Sequence, residues 1–76
     1  MDEVNDALDL RGLRCPLPAL IARRHLAALA AGATITVVTD DPMAPIDMPH
    51  MCRNEGFEIV EVTRDGDVAR FVLRRP

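Results

Sequence analysis

Cys15 stands directly before a proline, in the run Leu8-Asp9-Leu10-Arg11-Gly12-Leu13-Arg14-Cys15-Pro16-Leu17-Pro18. A long Ala/Leu segment follows, so Pro16 falls where a helix should begin. Proline is tolerated at the first helical position because its missing N–H would be unpaired there anyway. Cys15 is therefore expected at the N-cap or next to it, facing unpaired N–H groups and the positive end of the helix dipole. Cysteines so placed have their pKa lowered from roughly 8.5 into the ~3.5–7.5 range. The chemistry this predicts is that of a nucleophilic thiolate. Pro16 and Pro18 stiffen the turn and offer no N–H to compete at the helix mouth, and Arg14 adds positive charge next to the sulfur.

The other candidate groups read as structural. Cys52, between Met51 and Arg53, reads as a buried apolar cysteine in mid-helix, with a resolving thiol as the alternative. His25 and His50 have no metal-ligand spacing with either cysteine, and no Cys-x-x-Cys or His-x-x-x-His is present, so no metal is expected. Asp40, Asp41 and Asp47 read as helix caps and turn formers. No Ser/His/Asp arrangement is recognisable, and the glycines are too scattered for a phosphate loop.

The elements that must position Cys15 follow from the pattern. Residues 1 to 6 are polar and read as a loose lead-in, and Leu8-Asp9-Leu10 alternates as a first strand ending at Gly12. A helix is expected from Pro16 to Ala31, with Gly32 as its stop. The β-branched run from Ala33 to Thr39 reads as a buried second strand. Pro45 and Pro49 argue against a long helix near Asp41, so the second helix is expected to start near Asp47, as its cap, and to end before Gly56. Phe57 to Thr63 and Val68 to Leu73 read as strands joined through an Asp65-Gly66 hairpin turn. The order β-α-β-α-β-β predicts an α/β (α+β) two-layer sandwich: a four-stranded mixed sheet with two helices on one face, its first pair parallel through a right-handed crossover. The opposite sheet face must then stay polar or meet a partner.

In the first helix, Ala19, Ala22, Leu26 and Leu29 form the core stripe. Leu17, Leu20 and Ile21 fall on the far side, close to Cys15. The N-terminal tail or a second copy could cover them, or they could form an exposed docking patch beside the thiol. Arg23 and Arg24 adjoin that patch.

Composition narrows the classes. Seventy-six residues make one domain, and a 49% apolar fraction supports an ordinary core. Two cysteines do not make a disulfide scaffold, the opening Met-Asp-Glu-Val-Asn-Asp is acidic where a signal peptide would be basic, and no apolar run approaches membrane-spanning length. A cytoplasmic protein is expected. The formal charge is −3, all nine basic residues are arginine, and there is no Trp or Tyr. Neither phosphate neutralisation nor base stacking is provided for, so direct nucleic-acid binding is not expected.

The segment from Leu8 to Pro18 closely resembles the signature of the TusA/SirA-type sulfur carriers, with Gly12, Arg14, Cys15, Pro16 and Pro18 in its Gly-Leu-x-Cys-Pro-x-Pro core. Asp40-Asp41-Pro42 followed by Asp47-Met48-Pro49 is similar to that family's D-D-P…D-I-P element, with Met for Ile. Gly56-Phe57-Glu58 lies where the family often has Gly-His-Glu, and Phe71 to Arg75 resembles its closing strand and basic tail. The likeness spans nearly all of residues 8 to 75. It implies a βαβαββ sandwich and a sulfurtransferase that needs no cofactor. Cys15 would carry sulfane sulfur as a persulfide, received from a cysteine desulfurase or a rhodanese and passed to an acceptor protein. The routes served in the family include tRNA thiolation, molybdenum-cofactor synthesis, sulfur oxidation and, in some branches, selenium handling. Leu17, Leu20, Ile21, Arg23 and Arg24 would be the contacts for donor and acceptor. Two other readings stay open on the residues alone: a non-catalytic binding or regulatory module, and a redox sensor pairing Cys15 with Cys52.

Overall fold

In the computed structural model, which describes residues 5–76, the elements run β1 (Asn5–Asp9), α1 (Leu17–Ala28), β2 (Thr34–Thr39), α2 (Ala44–Glu55), β3 (Glu58–Asp65) and β4 (Val68–Arg74). The strands form one sheet in the order β1-β2-β4-β3. β1 and β2 are parallel, and β4 pairs antiparallel with β2 and with β3. Side chains alternate along a strand; β4 follows that alternation, while in β2 Thr36 is buried as well as Ile35 and Val37. Ile35 and Val37 of β2 and Ala69, Phe71 and Leu73 of β4 are buried, and the register places Leu73 beside Ile35 and Phe71 beside Val37. Ala19, Ala22 and Leu26 of α1 and Ala44, Met48, Met51 and Cys52 of α2 join the same core. Both helices therefore lie on one face, as expected. The other face is mostly polar, and across it Arg74 bonds Glu58 at 2.6 Å.

Several boundaries differ from expectation. β1 takes in Asn5 and Asp6, so the lead-in expected over residues 1 to 6 is a strand at its last two positions; residues 1–4 lie outside the described residues. α1 ends at Ala28 rather than Ala31, and Gly32 sits in the following turn at φ 88°. The cause is distant in sequence. The Arg75 guanidinium donates to the carbonyls of Ala27 and Leu29, both at 2.7 Å, and so supplies the cation and the donors that a helix C-terminus favours.

α2 begins at Ala44, three residues before the expected Asp47 cap. Asp41 makes this possible. Its Oδ1 accepts the Met43 N–H and its carbonyl accepts the Ala44 N–H, so the first turn is already closed. Pro45 then falls where a missing N–H costs nothing. Pro49 is accommodated inside the helix, which the sequence argued against. The end before Gly56 is as expected: Gly56 takes φ 79° and its N–H bonds the Cys52 carbonyl. The hairpin turn falls within Arg64–Asp67 as expected, with Gly66 and Asp67 as its two loop residues. Gly66 has φ 63° and no non-glycine residue has positive φ among the described residues, which is the signature of a type II′ turn. β3 carries a bulge between Ile59 and Glu61.

Leu26 is fully buried between helix and sheet. Leu26→Ala should cost about 2–5 kcal/mol, read as a lowered urea midpoint with an unchanged slope.

Candidate functional site around Cys15

The loop between β1 and α1 is fixed by backbone bonds and by one side chain. The Leu10 N–H bonds the Val38 carbonyl at 2.8 Å, which prolongs the β1–β2 pairing beyond β1. The chain then turns at Gly12, whose φ of 91° suits glycine. Asp40, at the end of β2, holds the turn. Its Oδ1 accepts the Gly12 N–H at 2.9 Å and the Arg14 guanidinium at 3.0 Å. The Gly12 N–H above all, with Arg14 in support, keeps the Asp40 carboxyl below its ordinary range. On the far side of this tether Arg14, Asp40, Asp41, Arg64 and Asp67 line a polar cleft that reaches the β3–β4 hairpin.

Cys15 follows as an exposed free thiol. The Cys15–Pro16 peptide is cis, and Pro16 is the N-cap of α1, so Cys15 is the neighbour of the cap. This is one of the two positions expected. The electrostatics are not as expected. The Leu17 N–H is taken by the Arg14 carbonyl and the Leu20 N–H by the Pro16 carbonyl, and Pro18 has none to offer. The helix mouth is thus largely closed on itself. The Cys15 thiol is pushed above its ordinary value, above all by the Asp47 carboxylate on α2, with partial burial and the charge of Asp41 adding to it. The thiolate expected from the helix dipole is therefore opposed by the carboxylates on the β2–α2 side.

The three aspartates of the β2–α2 connection divide as follows. Asp41 is the turn former that was expected. Asp40 and Asp47 are not caps: the first is the tether of the Cys15 loop and the second its neighbour across the helix pair. Asp47 is an acidic residue in the first turn of α2, a position that complements the helix dipole.

The proposed docking residues separate. Leu17 and Leu20 are 46% and 41% exposed. Ile21 is instead half-buried and packs against the core, because its helix position turns it toward the sheet rather than away. Arg23 lies 3.9 Å from Glu55 of α2, and Arg24 is exposed. Two exposed apolar residues at the start of α2, Met43 and Ile46, were not singled out from the sequence; their exposure follows from the early start of that helix. Between the helices a groove of about 220 Å³ is lined by Pro16, Leu20, Arg23, Asp47, His50 and Met51, among others. Cys52 is buried, and burial pushes its thiol up to about 11. Among the described residues no group of His, Cys, Asp and Glu could hold a metal ion, and no helix is long and apolar enough to cross a membrane.

A family model described as sulfurtransferase TusA matches residues 6–75. The chain belongs to the sulfurtransferase TusA family. A solved relative points the same way: a SirA-like protein from Desulfitobacterium hafniense superposes with a TM-score of 0.78 at 27% identity, over 90% of this chain and 93% of that one. The TusA-family match includes the whole Cys15 loop, the β2–α2 connection and the closing strand, which are the three segments that build the site.

A carboxyl held down by its partners keeps its tether while it is ionised and loses it as the pH falls through the lowered value. A titration followed at the Gly12 amide resonance should therefore show a transition below the ordinary aspartate value of 3.8. The transition should vanish in Asp40→Asn. A midpoint at or above 3.8 would show that the tether is not held in solution.

Proposed function

We propose that the protein is a cytoplasmic sulfur carrier that takes sulfane sulfur as a persulfide on Cys15 and delivers it to an acceptor protein. The observation that carries this reading is the exposed free thiol of Cys15 at the start of α1, in a chain of the sulfurtransferase TusA family. The exchange needs no cofactor. The Cys15 sulfur attacks the outer sulfur of a donor persulfide and a new S–S bond forms. The donor S–S bond breaks, its electron pair leaves on the donor sulfur, and that sulfur takes up the proton Cys15 gave up. Delivery is the same step with the acceptor thiol as attacker and Cys15 as leaving group. No oxidant enters, because one S–S bond is exchanged for another.

A raised thiol slows the exchange without preventing it: the thiolate fraction falls about tenfold per pH unit, and the greater nucleophilicity of the more basic sulfur recovers roughly half of that loss on a logarithmic scale. The donor fitting this chemistry is a cysteine desulfurase or a rhodanese. The acceptors would belong to tRNA thiolation, molybdenum-cofactor synthesis or sulfur oxidation, with neither nucleic acid nor membrane bound directly. Gly12 and Arg14 support the loop through Asp40, and Pro16 and Pro18 support it through α1; Pro18 is fully buried. Leu17, Leu20, Arg23 and Arg24 offer accessible surface on α1, and the half-buried Ile21 lines a groove with Leu20, Arg23 and Arg24.

Incubation with a cysteine desulfurase and free cysteine should add about 32 Da, one sulfur atom, to the protein and to Cys52→Ala, removed in each case by reductant. Cys15→Ser should fold and gain nothing. Equal loading of Cys15→Ser would reject the assignment.

A further inference from the structure

The polar cleft beyond the Asp40 tether has a volume of about 390 Å³. Its charged lining divides into paired and unpaired groups. Arg14 and Asp40 hold each other at 3.0 Å. Arg64 and Asp67 are exposed and form no hydrogen bond or ion pair among the described residues. Asp41 is only 4% exposed; its Oδ1 accepts the Met43 N–H, and its Oδ2 is buried without a partner. Buried carboxylate oxygens are nearly always paired, since leaving one unpaired costs free energy. Pro42, Pro45 and Ala69 supply the apolar part of the lining.

Strand register brings Arg64 to this place. It pairs with Ala69 of β4, which is buried in the core, so Arg64 stands in the row of β3 that faces the helices. An apolar residue at the end of that row would extend the core. An arginine there instead brings a cation to the cleft that Asp41 lines.

We propose that this cleft binds a small zwitterion of the α-amino-acid class. Its carboxylate meets Arg64, its ammonium lies between Asp67 and Asp41, and its side chain rests on Pro42 and Pro45. A simple anion would be repelled by the aspartates, and a simple cation would leave Arg64 unanswered; a ligand with both charges is matched at each end. Hydrogen bonds between ionised partners are the strong ones. The concave form, and a volume within the roughly 300–1,000 Å³ of small-molecule sites, favour a free compound over a protein surface. Binding is non-covalent and does not involve Cys15, so it stands apart from sulfur transfer.

The test is a titration of the ¹⁵N-labelled protein with L-alanine, followed at the amides of Asp41, Arg64, Gly66 and Asp67. These amides should shift together and saturate. Ethylamine and propionate, which carry one charge each, should need about tenfold higher concentration for the same shift. Asp67→Asn and Arg64→Gln alter exposed side chains and should fold; each should raise the alanine midpoint by about tenfold or more. Absence of saturable shifts up to about 0.1 M alanine would overturn the proposal. So would an unchanged midpoint in both variants. A response to ethylamine as strong as that to alanine would also overturn it, and would assign the cleft to basic side chains of a protein partner. The comparison of the three probes needs no variant.

Discussion

A short parallel strand pair has to deliver a flexible loop to a fixed place, and here a carboxylate at the end of β2 does it. Asp40 receives the Gly12 amide and the Arg14 guanidinium on the same oxygen. The two contacts bracket the turn, so Cys15 leaves it in one direction only. Hydrogen bonds with an ionised partner are shorter and stronger than neutral ones, which suits a loop on the surface with few apolar contacts of its own. Everything said of the sulfur, from its exposure to its neighbour on α2, presupposes this attachment.

The same connection that starts α2 also shapes the chemistry. Asp40 acts backward onto the β1–α1 loop, Asp41 closes the turn that nucleates the helix, and Asp47 lies within the helix and raises the Cys15 thiol. Moving the start of α2 from Asp47 to Ala44 turns Asp47 from a cap into a residue of the first turn. The helix start and the environment of Cys15 are therefore one problem. A cysteine beside a helix N-terminus gains thiolate character only if N–H donors are free to meet it. Here the Arg14 and Pro16 carbonyls and the two prolines use up most of the first turn.

Much of the fold was legible because it rests on local pattern. The β-branched run of β2, the Ala19–Ala22–Leu26 stripe and the Gly56 stop all act within a few residues. The early start of α2 comes from Asp41 two and three residues before it, and other misreadings come from contacts made across long sequence separation. Arg75 shortens α1 from 46 residues away, bonding the Leu29 carbonyl. Ile21 looked uncovered on a helical wheel and packs on the core. At the site, the position and openness of Cys15 were readable from Cys-Pro-x-Pro, whereas its charge environment was not. The carboxylate that raises the thiol, Asp47, is 32 positions away in sequence and acts from α2. Asp40 as a tether carried a weak signal in advance, an aspartate pair closing a parallel strand, but nothing local linked it to Gly12.

The irregularity in β3 has a consequence for life among other copies. β3 is a rim of the sheet, and an unpaired rim is a template on which a neighbouring chain can add a strand. Slipping one residue between Ile59 and Glu61 bends the rim and breaks the even ladder. Glu58, Glu61, Arg64 and Asp65 place charge along the same eight residues. Fibre-like stacking through this border is thereby discouraged, and the polypeptide can stay dispersed without covering the border with another element.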